Sequence, residues 1–178
     1  MSAAAAKLNP DLVIEVGDYQ SIAKPCPPGN AGCAGSPYGD NWPTWWADFF
    51  QPAGPLLHEA PWVFVRGNHE DCMRAGPGWL RLLGPLPVSP RCTAHLAPYR
   101  VALGDFDLVV MDDANASDTA IDPAQTPVYA AELAGLRNGA KPTWLLLHRP
   151  IWAAIAGPLG IPVGGNIQLI AAVGKGLI

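Results

Sequence analysis

The sequence predicts an α/β protein, and three observations carry that reading. Three short apolar runs rich in β-branched or aromatic residues, at 11–16 (DLVIEV), 61–65 (PWVFV) and 143–147 (TWLLL), have the length and composition of buried strands. Helical patterns lie between them, so strand and helix alternate along the chain. Each run is also followed at once by a polar cluster: Gly17-Asp18, then Gly67-Asn68-His69-Glu70, then His148-Arg149-Pro150. In open α/β sheets the carboxyl ends of the strands are where sites are built, because loops leaving neighbouring strands meet there while the sheet holds them rigid.

Taken in order, the first strand leads into a Gly/Pro-rich insertion at 21–38 that holds Cys26 and Cys33 and is expected to form a stapled loop near the site. Asn41 then caps a helix entered through Pro43. Trp42, Trp45, Trp46, Phe49 and Phe50 recur at i, i+3, i+4, i+7 and i+8, which predicts one apolar stripe packed on the sheet as core rather than as a cage for substrate. The second strand and its Gly-Asn-His-Glu loop follow. Residues 99–103 and 106–111 straddle Gly104-Asp105 and read as a hairpin. Thr126-Pro127 starts a helix that runs through Tyr129, Leu133 and Leu136 to a stop at Gly139, before the strand that delivers His148.

At 178 residues and 49% hydrophobic content the chain is about one domain with ample material for one core. A formal net charge of −4 with 15% charged residues leaves no basic stripe, so long nucleic acid is not an expected partner. The 20 prolines and 19 glycines are interrupted regularly by apolar runs and imply ordered turns rather than low complexity. Residues 1–6 lack the apolar core of a signal peptide, and the apolar tail at 159–178 is broken by Pro162 and five glycines, so no membrane span is expected. Cys26, Cys33, Cys72 and Cys92 allow three pairings; nearest-neighbour closure favours Cys26 with Cys33 and Cys72 with Cys92, against an alternative of four reduced thiols. Closed pairs would suit a periplasmic or secreted parent. No Cys-x-x-Cys occurs, which argues against a structural zinc site.

The order and wording of the clusters, GDY, then GNHE, then LLLHRP, resemble the calcineurin-like metallophosphoesterases, whose pattern runs D-x-H, G-D-x-x, G-N-H-[D/E], a lone His, then G-H-x-H. Three of these five blocks are present, over residues 8–152. The resemblance implies a partial metallophosphoesterase sandwich of mixed β-sheets flanked by helices. No Asp-x-His and no Gly-His-x-His occurs, so the first β-α unit and the C-terminal strands of that sandwich are expected to be missing. Residues 1–178 then read as one incomplete domain, an interior piece of a longer enzyme or a truncated copy.

By the same resemblance Asp18, Asn68 and His148 are metal ligands, Asp18 bridging two ions and the other two holding the second. Oxygen and imidazole donors without thiolate suit manganese, iron, zinc or nickel. The implied reaction is metal-dependent hydrolysis of a phosphomonoester or phosphodiester, in a phosphorylated small molecule or phosphoprotein. His69 takes the place of the family histidine that protonates the leaving group or steadies the phosphoryl oxygens, with Glu70 orienting it. Arg66 and Arg149 flank ligand positions and are candidates for phosphate binding. His58 and His95 match no block and read as surface residues, and Asp112-Asp113 reads as a strand-end turn. The tyrosine of a purple iron site belongs three residues after the aspartate, where Ser21 stands, so that site is not expected. Asp18, Asn68, His69 and His148 are expected to converge in one cleft. The competing reading is a catalytically degenerate, phosphoesterase-like binding or scaffold module, and unpaired sheet edges leave self-association open.

Overall fold

The first two predicted strands form and pair with each other, which puts their carboxyl ends side by side. They are β1, Val13–Glu15, and β2, Trp62–Phe64, parallel, with Val13 opposite Trp62 and Glu15 opposite Phe64. The computed structural model describes residues 2–85, 91–136, 139, 141–153, 155–156 and 162–176. The chain divides into two units, Met1–Ala94 and His95–Ile178. Both are mixed helix and strand, with a two-stranded sheet in the first and a three-stranded sheet in the second.

In the first unit a short helix, α1 (Ser2–Ala6), precedes β1 and packs on the helix at Gln51–Leu57. The helical passage between the strands is continuous but changes pitch: α2 (Trp42–Trp45), a π-helical turn (Trp46–Phe50) and α3 (Gln51–Leu57). Asn41 caps it as expected, extended at φ −149° and accepting the Thr44 N–H at 3.2 Å. Pro52 has no N–H to give the usual i→i−4 bond, and Gln51 instead donates back to the Trp46 carbonyl, the wider π spacing. The predicted aromatic stripe therefore splits. Trp45 and Phe49 are buried with Ala53 and Leu56, whereas Trp42 and Trp46 are 54% and 49% exposed. Phe49 meets Tyr19, Trp62 and Phe64 edge-on, with centroids 5.1, 5.9 and 6.0 Å away, and this cluster backs the sheet. Trp42 and Trp46 pack on each other at the surface instead of on the sheet.

A 3₁₀ turn (Asn68–Glu70) leaves β2, and α4 (Gly76–Leu82) follows it. Asp40 ties α4 to α2 by accepting the Trp45 indole N–H at 2.7 Å and the Gly78 N–H at 2.8 Å. Both expected cysteine pairs are closed, Cys26–Cys33 and Cys72–Cys92, with S–S distances of 2.07 and 2.06 Å. Two closed pairs fit an oxidising setting. Among the described residues no helix is long and apolar enough to cross a membrane.

The second unit opens with the predicted hairpin, β3 (Tyr99–Leu103) and β4 (Phe106–Val110), turning at Gly104 with φ +68°. The third predicted strand, β5 (Thr143–Leu146), pairs parallel to β4, so the order is β3-β4-β5. Helices α5 (Thr126–Gly135) and α6 (Ile167–Gly176) pack together. Their buried Tyr129, Leu133, Leu169 and Ala172 join Met111, Ala116 and Ile151 in one core. The cap of α5 is Leu136, ahead of the predicted stop at Gly139. A two-residue ribbon, β6 (Ile155–Ala156) with β7 (Pro162–Val163), completes the described strands.

Gly78 tests how tightly the first unit is assembled. A glycine inside a helix is ordinarily improved by alanine, by about 0.5–1 kcal/mol. Here the added Cβ would stand 2.1 Å from Asp40 Oδ1 and 2.2 Å from Trp45 Nε1, and Trp45 is 1% exposed and cannot retreat. Gly78→Ala is therefore expected to lose about 1–3 kcal/mol in a denaturant titration, and a gain in stability would contradict the packing.

Candidate active site

Parallel pairing of β1 and β2 brings the Gly17-Asp18 and Gly67–Glu70 loops to the same edge of the sheet. Asp18 holds a left-handed backbone, φ +62°, directly after Gly17 at φ +109°. Aspartate is one of the few side chains that tolerate this region, and non-glycine residues held there cluster at functional sites. The Asp18 N–H donates to Glu70 Oε2 at 2.9 Å, and Asp18 Oδ1 in turn accepts the His69 N–H at 3.0 Å. Glu70 also accepts the N–H groups of Gly67 and Gln20, each at 3.1 Å. Behind them the Tyr19 hydroxyl lies 2.9 Å from the Glu15 carbonyl and 2.8 Å from that of Val65, bridging the two strand ends.

Gly67 is required for this approach. A Cβ there would stand 2.3 Å from the Asp18 nitrogen, 2.5 Å from Asp18 Oδ1 and 2.7 Å from Glu70 Oε2. Burial pushes the Glu70 carboxyl above its ordinary range, opposed by the N–H bonds from Gln20, Asp18 and Gly67 and reinforced by the nearby Asp18 charge. This differs from the role expected from sequence. Glu70 does not orient the His69 ring; it holds the backbone of both loops. The His69 ring has its Nε2 3.8 Å from Asp18 Oδ2, while its buried Nδ1 has no hydrogen-bond partner among the described residues.

Arg66 also departs from expectation. It is 1% exposed, donating from Nε to the Glu70 carbonyl at 2.7 Å and from Nη1 to the Thr93 carbonyl at 2.8 Å, with its guanidinium 5.8 Å from the Trp79 ring centroid. A guanidinium held this way supports the Gly67–Glu70 loop from within and is not presented to phosphate.

The second unit repeats the device at the parallel ends of β4 and β5. Asp112-Asp113 follows β4 as predicted, yet it is a buried pair rather than an open turn. Asp113 Oδ1 accepts the His148 N–H at 3.0 Å and Oδ2 accepts the Arg149 N–H at 2.7 Å. Asp112 accepts the N–H groups of Leu96 and Ala114. Burial pushes the Asp113 carboxyl up to about 6, against the opposing bonds from Arg149 and His148. The sequence reading of Asp113 as a turn residue missed this role, whose only signal was an Asp pair directly after an apolar strand. The Arg149 guanidinium is ion-paired with Asp118. His95, expected at the surface, is half-buried, with Nε2 2.7 Å from Glu132 Oε1 and its ring against Tyr129. His58 is exposed as expected.

Asp18, Asn68, His69 and Glu70 thus belong to the first unit, and His148 and Arg149 to the second. Among the described residues no group of three or more His, Cys, Asp and Glu side chains is placed to hold a metal ion. The donor chemistry nevertheless fits a divalent cation. A carboxylate seated against a glycine cradle lies 3.8 Å from an imidazole nitrogen, and with all four cysteines in disulfides no thiolate competes.

Because Glu70 is fully buried and holds three backbone N–H groups, Glu70→Ala should cost about 2–5 kcal/mol, the penalty of stranding buried donors. Glu70→Gln keeps one acceptor oxygen and should recover part of the loss. Urea unfolding midpoints check both, and an Ala variant as stable as wild type would remove Glu70 from this role.

Comparison with curated proteins returns no match. The family model described as calcineurin-like phosphoesterase matches residues 1–162, which takes in both strand-end loops of the first unit and the His148 loop of the second. The chain belongs to the calcineurin-like phosphoesterase family.

Proposed function

We propose that this chain contributes a site for metal-dependent hydrolysis of phosphate esters, mono- or diesters, in a phosphorylated small molecule or phosphoprotein. One observation carries the reading: the Asp18 carboxylate and the Gly67–Glu70 loop are locked together by reciprocal hydrogen bonds at the carboxyl ends of parallel strands. Asp18 and Asn68 of the first unit would hold a divalent ion, of the manganese, iron, zinc or nickel type, and His148 is a donor of the same class carried by the second. When bound, such an ion neutralises phosphoryl charge and acidifies water. His69 is positioned by its backbone N–H on Asp18, and a proton held at its Nε2 can pass to the leaving-group oxygen. Asp113 fixes the backbone from which the His148 imidazole is offered.

A second reading is a phosphoesterase-like module that binds without turnover. Calorimetric titration with manganese or zinc, run beside an aryl phosphatase assay, separates the two. The chain should take up one divalent ion weakly, Asp18→Asn should abolish that uptake, and turnover should be slow. Two tightly held ions with rapid turnover would overturn this donor count. Binding of metal and inorganic phosphate with no turnover would establish the module instead.

If His69 supplies the leaving-group proton, His69→Ala should lower kcat by about 10²-fold or more on an alkyl phosphate. The loss should be much smaller on 4-nitrophenyl phosphate, whose leaving group needs no proton. Equal losses on both substrates would take this role from His69.

A further inference from the structure

A groove of about 760 Å³ in the first unit lies between the loop stapled by Cys26–Cys33 and the turn that follows the Gly67–Glu70 loop. Its walls are Ile22, Lys24, Pro25 and Pro27 on one side and Met73 and Arg74 on the other. Each wall grows directly out of a proposed site residue. The first is reached from Asp18 through Tyr19 and Gln20, and the second runs on from His69, whose carbonyl accepts the Ala75 N–H at 3.2 Å.

Both walls are held rigid. Asp48 Oδ2 accepts the N–H groups of Ser21 and Ile22 at 2.9 and 3.3 Å, and the buried Gln20 amide donates to the carbonyls of Ile22 and Gly39. The opposite turn is wound on Asp71, whose carboxylate accepts the Met73 N–H and whose carbonyl accepts those of Arg74 and Gly76, and Cys72–Cys92 staples it. Its volume falls within the range of small-molecule pockets.

Two features of the lining need an explanation that packing does not supply. Met73 is 92% exposed, a large apolar side chain on a loop that also carries the proposed acid. Among the described residues the groove's lining has two cations, Lys24 and Arg74, and no carboxylate side chain, in a protein of net charge −4. The Arg74 Nε is buried and, among the described residues, makes no hydrogen bond.

We propose that this groove is the leaving-group subsite of the site described above. It would take an apolar, flat body, such as an aromatic ring, that bears a second anionic group, the body lying against Met73, Ile22 and the prolines and the anion meeting Arg74 and Lys24. This substrate class rests on the phosphoesterase reading, whereas the groove's affinity for such a body does not.

Binding is measured first, without turnover: calorimetry with 2-naphthoate and with uncharged 2-naphthamide on wild type, Arg74→Ala, Arg74→Lys and Lys24→Ala. Naphthoate should bind about tenfold more tightly than the amide, the usual scale of a charge-assisted contact. Arg74→Ala and Lys24→Ala should erase most of that preference, and Arg74→Lys should keep part of it. Thermal midpoints report folding; should Arg74→Ala unfold, Arg74→Lys and Lys24→Ala decide. The same proteins are then assayed on 4-nitrophenyl phosphate and on the ester of a carboxylated nitrophenol. The ratio of kcat/KM between the two substrates should favour the carboxylated ester and fall about tenfold in Arg74→Ala. Absence of a naphthoate preference, or a preference untouched by the variants, overturns the subsite whether or not esters are hydrolysed. Turnover with no advantage for the carboxylated ester overturns the subsite and leaves the hydrolase reading standing. A naphthoate preference that the variants erase, with no turnover in any divalent metal, upholds the groove's ligand class and overturns the hydrolase reading.

Discussion

Buried carboxylates hold the loops at the ends of the parallel strands, and the functional geometry of each unit depends on them. When two parallel strands stop, the loops leaving them diverge, and their backbone N–H groups lose the ladder partners that the sheet supplied. A carboxylate has two oxygens and can accept from several of these donors at once. Glu70 does so for Asp18, Gln20 and Gly67, and Asp113 does so for His148 and Arg149. Both acids are raised by burial, which sets the cost of holding charge there against the hydrogen bonds that stabilise it. An acid so placed works only while all its donors are present, which couples its presence to one loop conformation.

The layer beneath Glu70 reinforces that choice. Tyr19 joins Phe49, Phe64 and Trp62 through edge contacts, and its hydroxyl ends between the carbonyls of Glu15 and Val65. One side chain thereby packs the helix onto the sheet and marks the point where both strands end. Arg66 secures the other side of the loop through backbone carbonyls of Glu70 and Thr93. Long stretches with little regular structure surround this frame, and the two disulfides limit their freedom. Rigid loops suit a site whose chemistry requires donors fixed in place rather than gathered on binding.

Family membership supports phosphoester hydrolysis as the reaction class at the level of the family. The chain's modest negative charge gives no long-range attraction for a phosphate ester. Recognition of such an ester would therefore have to be short-range. Arg66 and Arg149, the cations that sequence reasoning favoured, are engaged by the protein itself. Lys24 and Arg74, which stood out in no motif, line an open groove.

What the sequence alone determined was set by local chemistry. Apolar runs of strand length, the Asn41 cap, the Gly104-Asp105 turn and the spacing of cysteine pairs all depend on neighbours within a few residues or on short loops, and each is found in the structure. The GNHE cluster likewise carried the family, because its residues work as one contiguous loop. Tertiary structure decided the rest. Trp42 and Trp46 face solvent because a π turn shifts the helical register, and a fixed 3.6-residue period does not anticipate that shift. Glu70 serves Asp18, 52 residues away, and Asp113 serves His148, 35 residues away, because parallel pairing makes distant strand ends adjacent. No residue type announces which strand will lie beside it. For that reason candidate site residues could be named from the chain, while the partners that hold their loops emerged only from the fold.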